Sequence, residues 1–181
     1  STNNTTATDH EALRDKTKTM QALIDETVQT VHKISEDLRP AILDDFGLPT
    51  AIEWHAEEFE KHTGIKCKTV FFPKEFDLGK EKSTALFRIV QESLTNIIRH
   101  ANATKVEIKL SEKSGILVLE IQDNGKGITK AAIINPRSFG LIGIRERAHS
   151  LGGEVRIVGS QDTGTRLTVR MPISERKDSH D

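Results

Sequence analysis

Tyrosine is absent from this chain, and tryptophan and cysteine occur once each. The single Cys67, in the alternating stretch IKCKTVFF, can form no internal disulfide and lacks the paired spacing of a zinc site. What remains is a plain thiol, as suits a reducing cytoplasm. No segment approaches the roughly 18–20 consecutive apolar residues of a membrane span. The opening STNNTTATDH has no apolar signal-peptide core, so the chain reads as soluble and cytoplasmic. Charge of one sign is also lacking: 26 Lys and Arg stand against 27 Asp and Glu, for a formal net charge of −1. That balance leaves no electrostatic footprint for nucleic acid or an anionic membrane, and any bound anion has to be gripped locally. No GxxxxGK[ST] run occurs, which excludes a P-loop, and there is no internal repeat. With 181 residues, 35% hydrophobic and 29% charged, the chain suits one globular domain and an appendage rather than two complete domains.

Glycine and proline are missing from Asp9 to Leu38, where Leu13, Met20, Ile24, Val31, Ile34 and Leu38 recur, with Thr17 and Thr27 completing two heptad series. The pattern predicts a helix about 45 Å long. A small domain cannot cover that length, so the apolar seam is expected to meet another helix, most economically that of a partner chain. Pro40 and the turn-rich LRPAILDDFGLPT predict a linker and a domain boundary. After it the patterns predict a helix over Ala51–His62, a strand over Ile65–Phe72 and a second helix over Lys80–Ala101. Strands follow over Lys105–Leu110 and Ile116–Asp123 around the turn SEKSG, then a loop containing DNGKG. A third helix over Gly140–Leu151 precedes strands near Glu154–Val158 and Thr165–Met171. The paired strands at 105–123 and 154–171 read as antiparallel hairpins. The expected class is therefore α+β, a two-layer α/β sandwich with a mixed, mostly antiparallel sheet and helices on one face. Its divisions are a long helix with a disordered start in 1–40, the globular domain in 41–175, and a charged tail in 176–181.

Chemistry concentrates in three places. In the helix LFRIVQESLTNIIRHA, Leu86, Ile89, Val90, Leu94 and Ile97 mark a buried face, and Glu92, Asn96 and His100, four apart, line one edge of it. Side-chain oxygens at such a rim suit magnesium, which takes few hard protein ligands and completes its shell with water and phosphate oxygens; Glu92 could instead polarise a water. Alone, the trio would be read as a solvated helix flank. The strand LVLEIQ runs into Asp123-Asn124-Gly125-Lys126-Gly127, where a carboxylate at a strand end can accept from an exocyclic amine and glycines allow backbone close to a flat ring. DNG by itself is only a turn signal. In FGLIGIRERA, Gly140 and Gly143 stand at the mouth of a helix, where free N–H groups and the dipole favour phosphate.

The order and spacing of these three, finished by Gly164-Thr165, are specific. The sequence resembles the Bergerat-fold ATPases, the group that holds histidine kinases, type II topoisomerases, mismatch-repair ATPases and heat-shock chaperones. ESLTNIIRHA looks like their N-box, DNGKG like the G1 box, FGLIGI like the G2 box and GT like the final glycine-threonine motif. ISEDLRPAILDDFGLPTAIEW and RSFGLIGIRERAHSLGG narrow the resemblance to sensor histidine kinases of the nitrate-sensor and degradation-regulator type. The resemblance implies ATP and Mg2+ as cofactors. It implies that Asp123, assisted by Thr165, binds the adenine amino group, with Gly125, Gly127 and Ile128 along the ring. Asn96 would hold magnesium, with Glu92 as a further ligand or as a general base. Gly140, Leu141 and Gly143 would bring backbone to the phosphates, with Arg99 or His100 as charge partners. Residues 128–139 would form a short lid, mobile without ligand.

The same resemblance implies transfer of the ATP γ-phosphoryl group to a histidine and thence to a response regulator. The full-length kinase would be a homodimer attached to the inner face of the cell membrane. The family's acceptor histidine, followed by an acid, lies on the first of two dimerisation helices, well upstream of the LRP segment. His10-Glu11 mimics that pair but lies only about thirty residues before Arg39, too close for a hairpin of two such helices. The acceptor hairpin is therefore expected outside this chain, and residues 1–40 correspond to the second helix. Two other readings remain: a nucleotide-binding regulatory module without transfer activity, and another Bergerat-fold ATPase or serine kinase.

Overall fold

The structure, a computed structural model, describes Met20 and residues 41–136, 138–160 and 163–173. The chain divides into two units, Ser1–Ala41 and Ile42–Asp181. The helix expected over 9–38 and the tail 176–181 lie outside the described residues, Met20 apart.

From Ala41 onward the segment expected as a linker is helical. Helix α1 spans Ala41–Thr63, with a kink at Gly47, where φ is 80° and ψ 175°. Pro40, Gly47 and Pro49 argue locally against a helix. Core packing overrides them: Leu43 before the kink and Leu48, Ala51, Ile52, Ala56 and Phe59 after it are all buried. Pro49 falls in the first turn after the break, where its missing N–H deprives the helix of no bond. Gly64 accepts the left-handed conformation that ends the helix, at φ 73°.

Strand β1, Lys66–Phe72, follows. Helix α2, Gly79–Asn96, buries Leu86, Phe87, Ile89, Val90 and Leu94. Over Ile97–Ala101 the chain tightens its radius no further but widens into a π-helical turn, stopped by Asn102 in the left-handed region at φ 53°. Strands β2, Lys105–Lys113, and β3, Ile116–Asp123, form a hairpin. Its turn is shorter than SEKSG: only Ser114 and Gly115 lie between the strands, both at positive φ (54° and 75°), the turn form that matches strand twist. A short helix α3, Lys130–Ile134, lies in the expected lid, and α4 spans Phe139–His149. Strands β4, Glu154–Ser160, and β5, Gly164–Pro172, complete the fold.

The sheet order is β1-β2-β3-β5-β4, with β1 parallel to β2 and every other pairing antiparallel. Alternation places Val106, Ile108 and Leu110 of β2, Leu117, Leu119 and Ile121 of β3, and Leu167, Val169 and Met171 of β5 in the core. The intervening Glu107, Lys109, Glu120, Gln122, Arg166 and Arg170 form the opposite, polar face. The expected two-layer α+β sandwich is what the chain builds. Asp123 is the last residue of the central strand β3 on the core side, and that placement makes the site.

Candidate functional site at the end of the central strand

Asp123 is 4% exposed, a buried carboxylate in an otherwise apolar row. Its Oδ1 accepts a hydrogen bond from the Gly125 N–H at 2.7 Å. No described residue donates to Oδ2. A buried carboxylate oxygen without a donor is costly, so this one is chemically suited to a ligand that brings an N–H.

Gly125 is buried as well, and a Cβ built on it would overlap the carbonyl of Ala101 at the end of the π-turn. The Lys126 N–H donates to that same carbonyl at 2.8 Å, while its side chain stays exposed. A Cβ on Gly164, at φ 81°, would overlap the Asp123 carbonyl. These close approaches of backbone to backbone bring the DNGKG loop, the end of α2 and the start of β5 together. They also show that Gly164 is the member of the final pair that meets Asp123. Thr165 is half-buried and pairs with Gly159 of β4. Ile128 backs onto the same strand, its N–H nitrogen 2.6 Å from where a Gly159 Cβ would stand.

One turn before the π-turn, Glu92 and Asn96 are half-buried, and Asn96 Nδ2 donates to Glu92 Oε1 at 3.3 Å. That bond turns Asn96 Oδ1 away from Glu92, and no described residue donates to it. A hard, neutral oxygen beside a carboxylate suits magnesium. Gly140 of α4 lies directly on this pair: a Cβ there would overlap Glu92 Oε1 and stand 3.3 Å from Asn96 Nδ2. Among the described residues, the first bond into α4 runs from the Ile142 N–H to the Ser138 carbonyl. The N–H groups of Phe139, Gly140 and Leu141 precede it at the helix start, where backbone donors favour an anion. Gly143 lies a turn inside, where its N–H belongs to the helix ladder.

His100 does not continue the Glu92–Asn96 edge as the four-residue spacing predicts. In the π-turn bonds span five residues, four positions no longer complete a turn, and both Arg99 and His100 are exposed. The lid segment is held thinly: Thr129 Oγ1 accepts from the Ala132 N–H at 3.2 Å, Ser138 Oγ donates to the Ala132 carbonyl, and Arg145 Nη2 donates to the Ile133 carbonyl at 2.9 Å. Asn124 was visible in the sequence only as a turn residue. Its side chain is the most heavily bonded in the loop, and the DNG signal that exposes it says nothing about its partners.

Cys67 is half-buried in β1, and burial, with Glu60 nearby, pushes its thiol up to about 11. It is an unreactive thiol at neutral pH. Among the described residues there is no cluster of three or more His, Cys, Asp or Glu that could hold a metal. No helix among the described residues is long and apolar enough to cross a membrane.

Residues 81–175 match the family of histidine kinase-, DNA gyrase B- and HSP90-like ATPases. The oxygen sensor histidine kinase NreB of Staphylococcus carnosus (strain TM300) is 32% identical over 92% of this chain and 48% of its own length. The signal transduction histidine-protein kinase/phosphatase DegS of Brevibacillus brevis is 34% identical over 91% of this chain and 42% of its own. The chain thus spans about half the length of these curated relatives. Among solved structures, the histidine kinase domain of the Erythrobacter litoralis blue-light activated histidine kinase superposes with a TM-score of 0.60 at 24% identity, covering 72% of this chain and 63% of that one. The catalytic domain of histidine kinase ThkA gives 0.58 at 14%, covering 69% and 89%. At these identities the superpositions speak for the fold. The match over 81–175 contains every cluster just described, and with it the chain belongs to the histidine kinase-, DNA gyrase B- and HSP90-like ATPase family.

Proposed function

We propose that this chain is the ATP-binding catalytic part of a sensor histidine kinase, and that the acceptor is a histidine on a helix hairpin outside this chain, from which the phosphoryl group passes to a response regulator. The observation that supports this best is the buried Asp123 carboxylate, one oxygen held by the Gly125 N–H and the other without a donor among the described residues. An exocyclic adenine amine meets that need, and a purine bearing an acceptor there does not. Gly125, Gly127 and Ile128 line the ring, with Thr165 at its flank. Asn96 offers Oδ1 to Mg2+, and Glu92 either joins it or takes a proton. Gly140 and Leu141 direct N–H groups at phosphate, Gly143 stands one turn behind, and exposed Arg99 and His100 supply positive charge.

Bound Mg2+ would neutralise phosphate charge; the residues of this chain orient the nucleotide and exclude water around it. Residues 1–40 then act as the second dimerisation helix, 41–175 as the catalytic domain and 176–181 as a tail. The whole kinase is a homodimer, cytoplasmic in this part and attached at the inner face of the membrane.

A magnesium-dependent ATP titration of the chain and of Asp123→Asn tests the core of the reading. The substitution should cost about 1–3 kcal/mol of ATP binding, roughly tenfold to a hundredfold, with the thermal midpoint little changed. Radiolabelled ATP should leave this chain unlabelled and label a separately supplied acceptor hairpin; label on His10 would refute the assignment of the acceptor.

A further inference from the structure

We propose that Asn124 is a positioning residue for nucleotide selection: its side chain locks the loop that presents the Asp123 carboxylate to the junction between α2 and β2. This rests on the reading of Asp123 as the adenine acceptor.

The β2–β3 ladder pairs Val106 with Asp123 as its last step. One residue further on, the Asn124 N–H still donates to the Lys105 carbonyl at 3.2 Å. There the main chain leaves the sheet, because Gly125 must approach Ala101 and the Gly125 and Lys126 N–H groups are bonded to Asp123 Oδ1 and to the Ala101 carbonyl. A departing strand would leave the amides of Thr104 and Lys105 without an acceptor. Asn124 supplies one from its side chain: Oδ1 accepts from the Thr104 N–H at 2.9 Å and the Lys105 N–H at 2.8 Å, using both of its lone pairs. Nδ2 donates to Thr104 Oγ1 at 2.9 Å, which fixes the amide's orientation.

The side chain is exposed, yet it spends three bonds on one dipeptide. An exposed turn Asn needs no such grip, since Asp, Ser or Gly would serve the turn as well. The three bonds stitch the β3 exit to Thr104-Lys105, three residues beyond Ala101, and Ala101 ends the helix that bears Glu92 and Asn96. The base end of the proposed nucleotide site is thereby fixed to the junction that follows that helix. Asn124 touches no ligand in this scheme; it determines where Asp123 Oδ2 stands.

The test compares binding of ATP and of purine riboside triphosphate, which lacks the 6-amino group, to the full chain and to Asn124→Ala, Asn124→Asp and Thr104→Val, with a thermal melt of each. Asn124→Ala is expected to weaken ATP about tenfold and purine riboside triphosphate hardly at all, because only the amine-to-carboxylate contact depends on the lock. Asn124→Asp keeps an acceptor for both amides and lets the Thr104 hydroxyl turn to donate, so it should restore the preference. Thr104→Val removes one bond of three and should weaken ATP about threefold, which keeps the question open to decision even where Asn124→Ala fails to fold. Equal weakening of both nucleotides, or no weakening of ATP in a variant that melts lower, means that the bonds only hold the turn and overturns the proposal. If wild type and Asp123→Asn both fail to distinguish the two nucleotides, the adenine role of Asp123 falls, and this inference falls with it.

Discussion

The two halves of the proposed site are built in opposite ways. The half at the end of β3 is made of backbone pressed against backbone: Gly125 on Ala101, Gly164 on Asp123, and a carboxylate that is 4% exposed. The half at 128–139 has a helix with no buried residue, and Ile134 and Phe139 are 79% and 78% exposed. Its attachments include hydrogen bonds such as Arg145 to the Ile133 carbonyl, each contributing only about 1 kcal/mol. The contrast implies that the proposed base pocket is preformed while the proposed cover is free to rearrange, an arrangement suited to admitting nucleotide and then enclosing it.

The largest test of that contrast is Gly125→Ala. The added methyl meets a main-chain carbonyl already engaged by the Lys126 N–H, so neither partner can give way. A loss of about 3 kcal/mol or more is expected, with ATP binding abolished in titration. If the variant binds ATP normally, the preformed half is softer than described. Next comes native-state hydrogen exchange. Amides of 130–135 should exchange orders of magnitude faster than those of 117–122 in the free chain, and saturating ATP with Mg2+ should slow the former group selectively. Uniform slowing of both would dissolve the distinction.

A smaller effect is expected from pH. Burial, against Phe87 at 5.6 Å between ring centroids, holds the His55 imidazole below its ordinary range. A group whose folded value is lowered gives stability that is complete above its unfolded pKa, about 6.5, and is lost as pH falls from there through the folded value. Thermal midpoints should therefore drop between pH 7.5 and 5, and His55→Leu should flatten that part of the profile, whereas base recognition at Asp123 should be untouched. The smallest effect is assigned to Gly143→Ala in α4. Its methyl would stand 2.8 Å from Arg147 Nη1, the far end of a flexible side chain that can swing aside. Helix propensity then favours alanine by up to about 1 kcal/mol. A melting point that rises or holds would confirm that the two glycine-rich segments differ in kind, and a collapse like that of Gly125→Ala would erase the difference.

Much of this was open to reading from residue order. The alternation in ILVLEIQD gave β3 its true bounds, Ile116–Asp123, and the apolar spacing in LFRIVQESLTNI picked out residues that are all buried. Glu92, Asn96, Asp123 and Gly140 were each legible as candidates because their types and spacings are local properties. Other features were not. Ala41–Phe46 is helical although Pro40, Gly47 and Pro49 surround it, since Leu43 is buried. The parallel pairing of β1 with β2 joins Lys66 to Lys105 across a whole helix, which no short window encodes. The π-turn that turns His100 outward, and the Gly164 approach that leaves Thr165 to pair with β4, depend on distant backbone.

Periodicity, capping residues and glycine placement act over a few residues, and so the order of elements, the buried faces and the candidate ligands follow from the chain read as text. Which carbonyl forbids a side chain at position 125 and which amides Asn124 holds are outcomes of segments 19 or more residues apart coming within hydrogen-bonding distance. Those contacts exist only after the core has closed, because burial of apolar surface supplies the drive that forces polar backbone groups to find one another.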